Sequence, residues 1–230
     1  DVAAMISEQL DQISAEAGKA ESVLIPGLID DYTAYRPVGH YTSSSELQQY
    51  FRGMTWLGRV AFNLRGLENQ SSPSKAPLFI TLALREAKLE GVPVYKVWLS
   101  VHEVLDFIIG PSDDPGPMEL NDLMEGVYGS DIYLALLQDE AKWQEFISRV
   151  EDLPAPRINS TFQDTSLEMD YERDWRFMGQ RFTLDGFIFQ QLITDKVERR
   201  AFPKGLDLAA AYGSLEAEKS LALSGETRYP

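Results

Sequence analysis

The sequence predicts a mainly α-helical protein, one domain over residues 1–230 built from roughly seven to nine packed helices with little or no strand. Three observations carry that expectation. Apolar residues return at three- and four-residue intervals in one segment after another. Helix start and stop residues bracket those segments, with Ser, Thr or Pro ahead of them and Gly or Pro behind. Strand signals are sparse, and no repeat with a period of 20–50 residues suggests a solenoid.

The elements follow in order. Val2, Met5, Ile6, Leu10 and Ile13 are spaced for a helix that stops by Gly18. "VLIPGLIDDYTAYRP" then reads as a short extended piece with a turn at Pro26–Gly27. Ser43 with Glu46 three residues on forms a capping box for a helix carrying Leu47, Tyr50, Phe51, Met54 and Leu57. Pro77 suits the first turn of a helix running to Gly91, and Pro93 opens the next. There Val94, Val97, Trp98, Val101, Val104, Leu105 and Ile108 form one stripe, stopped at Gly110. Met118 to Val127 is a helix ending at Gly129, and Asp131 to Val150 reads as a long one ended by the prolines of "DLPAPR". Ile158 to Asp174 is polar and irregular and holds an Asn159-Ser160-Thr161 sequon. Thr183 caps "LDGFIFQQLI", and a last apolar helix begins near Leu206.

Composition narrows the function. Thirty-six acidic residues against 21 basic ones give a net charge of −15, which repels phosphate backbones and anionic lipid, so nucleic acid is not an expected partner. With 44% hydrophobic residues the chain can fill a core, yet no apolar run is long enough to span a membrane. The absence of cysteine excludes disulfides, thiolate metal sites and a cysteine nucleophile. The sequence starts at Asp1 without a methionine, which reads as a fragment or a processed part of a larger protein.

No nucleotide-binding glycine loop, nucleophile elbow or zinc signature occurs, so no cofactor or metal is assigned and a catalytic residue is not identified. Three polar segments stand out instead. Arg36, His40 and Tyr41 lie in a loop before a helix, where a histidine serves either a ligand or a ring stack that anchors the cap. Asp113 and Asp114 lie between two helices, fitted either to capping and the helix dipole or to a hard cation, without the spacing of an EF-hand. Gln180, Arg181 and Asp185 are interleaved with phenylalanines, a composition that lines a groove for sugar or peptide or pairs with a buried acid. The second histidine, His102, falls at the edge of its helix's apolar stripe.

Several phrases together, "DYTAYRPVGHYTSSSELQQYFRGMTWLGR", "IIGPSDD", "LPAPRINS", "RFMGQRFTLDGFIFQQL" and "FPKGLDLAAAYGS", resemble successive motifs of a family of large bacterial and archaeal proteins catalogued only as a domain of unknown function. Its members are often exported or lipid-anchored, and this chain resembles their C-terminal portion. The resemblance implies a helical, extracytoplasmic protein with no assigned activity, whose partners include the remainder of its own longer chain. Two functional expectations follow. In one, the three polar segments share a face that binds or processes an extracellular glycan or peptide; in the other, the domain is a non-catalytic scaffold or cell-surface interaction module whose polar motifs are caps and buried ion pairs.

Overall fold

The computed structural model describes residues 1–65, 73–158, 173–191 and 205–224. The protein is mainly helical, and its strands are short antiparallel pairs. The chain divides into two compact units, Asp1–Val60 and Ala61–Pro230.

In the N-terminal unit, α1 (Val2–Ala15) begins at Asp1, whose carboxylate accepts the Ala3 N–H at 3.2 Å. It stops at Glu16, which takes the left-handed conformation with φ 52°. β1 (Lys19–Glu21) and β2 (Ile29–Asp31) pair antiparallel, Lys19 opposite Asp31. Two 3-10 turns, Tyr32–Tyr35 and Gly39–Thr42, lead to α2 (Ser45–Arg59). Ile13, Tyr32 and Tyr35 form the small core, with Ala20 and Trp56 packed against it. The cap of α2 lies one residue later than the expected Ser43: the Ser44 hydroxyl accepts from the Leu47 N–H, because Ser43 still belongs to the preceding turn and donates its own N–H to the His40 carbonyl.

The α1 stripe is only partly used. Gln9 and Ile13 are its buried residues, while Val2, Ile6 and Leu10 are exposed. Gln9 holds the inter-strand turn: its side-chain oxygen accepts from Ser22 Oγ at 2.6 Å and Val23 N at 3.1 Å, and its amide donates to the Tyr32 hydroxyl at 2.9 Å.

The C-terminal unit runs β3 (Ala61–Asn63), α3 (Ala76–Glu86), β4 (Lys88–Leu89), β5 (Val92–Pro93), α4 (Val94–Ile109), α5 (Pro117–Tyr128), α6 (Glu140–Arg149), β6 (Asp174–Arg176), α7 (Leu184–Gln191), α8 (Gly205–Ala211) and α9 (Leu215–Leu223). β3 pairs antiparallel with β6, Phe62 opposite Trp175. Leu78, Leu120, Met124, Leu137, Phe146, Val150 and Trp175 fill a core drawn from α3, α5, α6, the 3-10 turns that flank α6 (Leu136–Gln138 and Val150–Asp152) and this strand pair. Each large side chain so buried is worth about 1.5–3 kcal/mol.

Three expected helices end differently. The helix entered at Pro77 stops at Glu86 rather than Gly91, because Glu90 and Gly91 both have positive φ, 50° and 82°, and make the turn of a tight β4–β5 hairpin. The long helix expected over residues 131–150 shortens to α6, since Asp139 leaves the helical region (ψ 112°) and its carboxylate caps the Lys142 N–H. The last helix is two, parted at Gly213 with φ 85°, and Ser214 caps the second. Thr183 does take a cap role, its Oγ1 accepting from Gly186 N at 3.3 Å. The sequon at 159–161 lies outside the described residues.

α4 keeps its expected bounds and its Gly110 stop, but only one edge of its expected stripe goes inside: Trp98 is buried, Val94, Val97 and Leu105 are half-buried, and the rest faces out. Its buried residues are Trp98 and His102, whereas Val101, Val104 and Ile108 are exposed. The edge histidine of the sequence is therefore a buried one.

Candidate functional site

Two of the three polar segments meet in the C-terminal unit. The stretch after α4 and the stretch after β6 run antiparallel: Arg176 N donates to the Pro115 carbonyl at 3.1 Å, Asp113 N to the Gln180 carbonyl at 2.8 Å, and Phe182 N to the Pro111 carbonyl at 3.3 Å. Their approach depends on Gly179. A Cβ there would collide with Ser112 Oγ and press on Asp114, so any larger residue would force Ser112 to turn away and Asp114 to give.

The side chains at this junction bond to one another. Asp114 accepts from Arg176 Nη1 at 2.5 Å and from Gln180 N at 2.9 Å, with both ionic side chains 4% exposed. Burial raises the Asp114 carboxyl above its ordinary range, and Arg176 and the Gln180 N–H pull it back. Asp113 gathers a third segment: Oδ2 accepts from the backbone N–H groups of Arg157 and Ile158 at 2.8 and 2.7 Å, and Oδ1 from Arg157 Nε at 3.0 Å. The Arg157 guanidinium lies 3.7 Å over the Phe182 ring. Gln180 thus contributes through its backbone while its side chain is exposed.

Arg181 closes the C-terminus of α4. Nη1 donates to the Asp106 carboxylate and, at 3.1 Å, to the Gly110 carbonyl, one of the acceptors that a helix end leaves unpaired. His102 Nδ1 stands 3.4 Å from the other Asp106 oxygen, and its ring packs 4.7 Å from Trp98. Burial lowers the His102 pKa; Asp106 opposes that shift and Arg181 adds to it. Asp185 sits apart, exposed in the first turn of α7, where the Thr183 side chain and the Gly186 N–H hold its carboxyl low. The last carboxylate here is Asp174 on β6, 8% exposed, whose Oδ1 has no hydrogen-bond partner and whose pKa is raised by burial.

The remaining segment belongs to the N-terminal unit. Arg36 Nε pairs with Glu16 at 3.3 Å and is largely exposed. The exposed His40 ring lies 4.0 Å from Tyr41, which in turn packs 5.2 Å from Phe51 of α2. These residues make the ring stack that anchors the start of α2.

A concave site lies elsewhere in this unit. Between α1 and α2 opens a cleft of about 500 Å³ whose walls include Ile6, Leu10, Ile13, Gly53, Trp56 and Leu57. Its polar lining comprises Gln9, bonded as above, Ser14, Gln49 and Arg52, whose Nη2 donates to Glu16 at 2.8 Å while its Nε has no hydrogen-bond partner. The Glu16 carboxyl is held low chiefly by that bond to Arg52. Gly53 is unusual. It stands inside a 15-residue helix, where glycine costs about 1 kcal/mol relative to alanine, its φ is not positive, and a Cβ would meet no atom within 4 Å.

Among the described residues, no group of three or more His, Asp or Glu is placed to hold a metal ion, and no helix is long and apolar enough to cross a membrane. The family described as "protein of unknown function (DUF3160)" matches residues 1–230. The chain belongs to that family. No curated protein and no solved structure matches it.

The cleft residues were absent from the candidates drawn from sequence, because Leu57 reads there as part of an ordinary core stripe and Trp56 falls outside it. One signal pointed to them: a glycine at the centre of a strongly amphipathic helix, with no turn to explain it. Asp106, Arg157 and Asp174 were missed for another reason. Arg157 meets Asp113 from 44 residues away, Asp106 meets Arg181 from 75 in addition to His102 at i−4, and Asp174 Oδ1 has no partner, so spacing carries little trace of their roles.

Proposed function

We propose that the chain is a non-catalytic interaction module of an extracytoplasmic protein, and that the cleft between α1 and α2 receives an apolar stretch of a partner polypeptide. The observation that carries this reading is Gly53. Neither backbone conformation nor packing calls for glycine there, and its effect is to leave one wall of the cleft open. A cleft of about 500 Å³ falls in the range of ligand sites, roughly 300–1,000 Å³.

The ligand class follows from the lining. A glycan needs donors and acceptors along its length, whereas Ile6, Leu10, Ile13, Leu24, Trp56 and Leu57 make most of the lining and Gln9 is bonded within the protein. Apolar side chains need only area, at about 25 cal/mol per Å² removed from water. The internal pairing of Asp113, Asp114, Arg176 and Arg181 favours the same reading, since those groups serve to join segments of the fold. The extracytoplasmic placement rests on the motif resemblance, and fractionation of cells expressing the full-length protein tests it.

The binding test is an array of extended apolar peptides beside a glycan array, with the wild type and Gly53→Phe. Apolar peptides bind the wild type, and Gly53→Phe weakens binding at least about tenfold while its melting temperature stays equal or rises, because a helix-interior glycine is removed. Binding to glycans alone, or peptide binding untouched by Gly53→Phe, overturns the proposal.

A further inference from the structure

The exposed face of α4 is the largest mismatch between this sequence and its fold. Val97, Val101, Val104 and Ile108 recur at i, i+4, i+7 and i+11, with Phe107 beside them, so they form one stripe along the helix. Val101, Val104, Phe107 (91%) and Ile108 (70%) are exposed, Val97 is half-buried at the start of the stripe, and the buried side of the helix is carried by Trp98 and His102. A stripe of this kind facing water marks an interaction surface.

Charge selects the occupant. Lys96 and Glu103 are exposed, seven residues apart, and follow the same edge of the stripe. When two identical helices pack antiparallel about a two-fold axis, like edges come together, so Lys96 of one copy meets Glu103 of the other, and the pair occurs twice. Parallel packing would instead set this charged edge against the opposite edge, where Leu105 and Trp98 lie. An anionic membrane is a poor alternative: Lys96 is the one lysine or arginine of α4, Glu103 and Asp106 are acidic, and the chain carries a net charge of −15.

We propose that two copies of this chain associate through the exposed face of α4, with the helices antiparallel and Lys96 of each opposite Glu103 of the other. The faces of two 16-residue helices together fall short of the roughly 1,200 Å² of a stable interface, so the dimer is weak and forms at high micromolar concentration. The inference does not depend on the cleft or on what binds there.

Sedimentation equilibrium over low to high micromolar concentrations tests it, with the wild type, Lys96→Glu, Glu103→Lys, the double reversal and Phe107→Ser. The wild type dimerises at the upper concentrations, each single reversal weakens association several-fold, and the double reversal restores it to within about twofold. Phe107→Ser is monomeric and melts with the wild type at low concentration. A wild type monomeric throughout overturns the proposal, as does a double reversal no better than the singles. So does a Phe107→Ser variant whose monomer melts several degrees lower, which would place a segment of the same chain over the face. Co-sedimentation with phosphatidylcholine–phosphatidylglycerol vesicles is expected to be absent, and its presence overturns the proposal as well.

Discussion

Arg176 donates to Asp114 across 2.5 Å with both side chains almost fully withdrawn from water, and this pair joins the stretch after α4 to β6. Removing one member leaves the other charge buried, at a cost of about 3–5 kcal/mol. Arg176→Met is accordingly expected to lose that much stability in urea unfolding. Exchanging both, as Asp114→Leu with Arg176→Met, recovers part of the loss, because two apolar groups need no partner. A double variant less stable than Arg176→Met alone would sink this account.

Asp174 should betray itself through pH. Burial raises its folded pKa above the ordinary value near 3.8, so the folded state holds the proton more tightly than the unfolded state does. Its contribution is complete below about pH 4 and is lost as pH rises through the folded pKa. Asp174→Asn, which removes the charge and keeps the shape, is expected to be more stable than the wild type at pH 7. That advantage shrinks toward zero as pH falls to about 4. Urea midpoints of the two proteins from pH 4 to 7 give the comparison; parallel curves would show that Asp174 is not the titrating group.

Arg181 joins α4 to the stretch before α7 and also sets the charge around His102. Arg181→Ala leaves Asp106 and the Gly110 carbonyl without their donor, and a loss of about 2–4 kcal/mol is expected. The same variant removes a cation that lowers the His102 pKa while sparing Asp106, which raises it, so the imidazole titrates at higher pH by NMR. A depressed histidine pKa gives stability that is present above about pH 6.5 and lost as pH falls through the folded pKa, and Arg181→Ala narrows that loss. An unchanged His102 titration would show that Arg181 acts as a structural tie without electrostatic reach.

Much of the helical frame was legible because local chemistry states it. Pro93 and Gly110 bound α4, Gly129 ends α5 at φ 87°, and Thr183 opens α7. The misread ends have local causes as well, visible only once the backbone is known: Ser44 in place of Ser43, Asp139 as an internal cap, Glu90 with Gly91 as a hairpin turn. Each of these residues suits a helix interior or a boundary, and its neighbours decide which.

What the sequence determined by itself was most of the helical segments, the charge that argues against nucleic acid, and the polar segments that interrupt the apolar pattern. Helical period and capping are local, so they survive in a bare string of residues. What the tertiary structure decided was the use of each face. Asp113 reaches Arg157, Asp114 reaches Arg176, and Gly179 lets their segments close. Of the α4 stripe, Val101, Val104 and Ile108 face water, while Trp98 goes inside together with His102, which lay at the stripe's edge. An apolar stripe states that a face will be covered, and what covers it is set by the packing of elements far apart in the chain or by a partner.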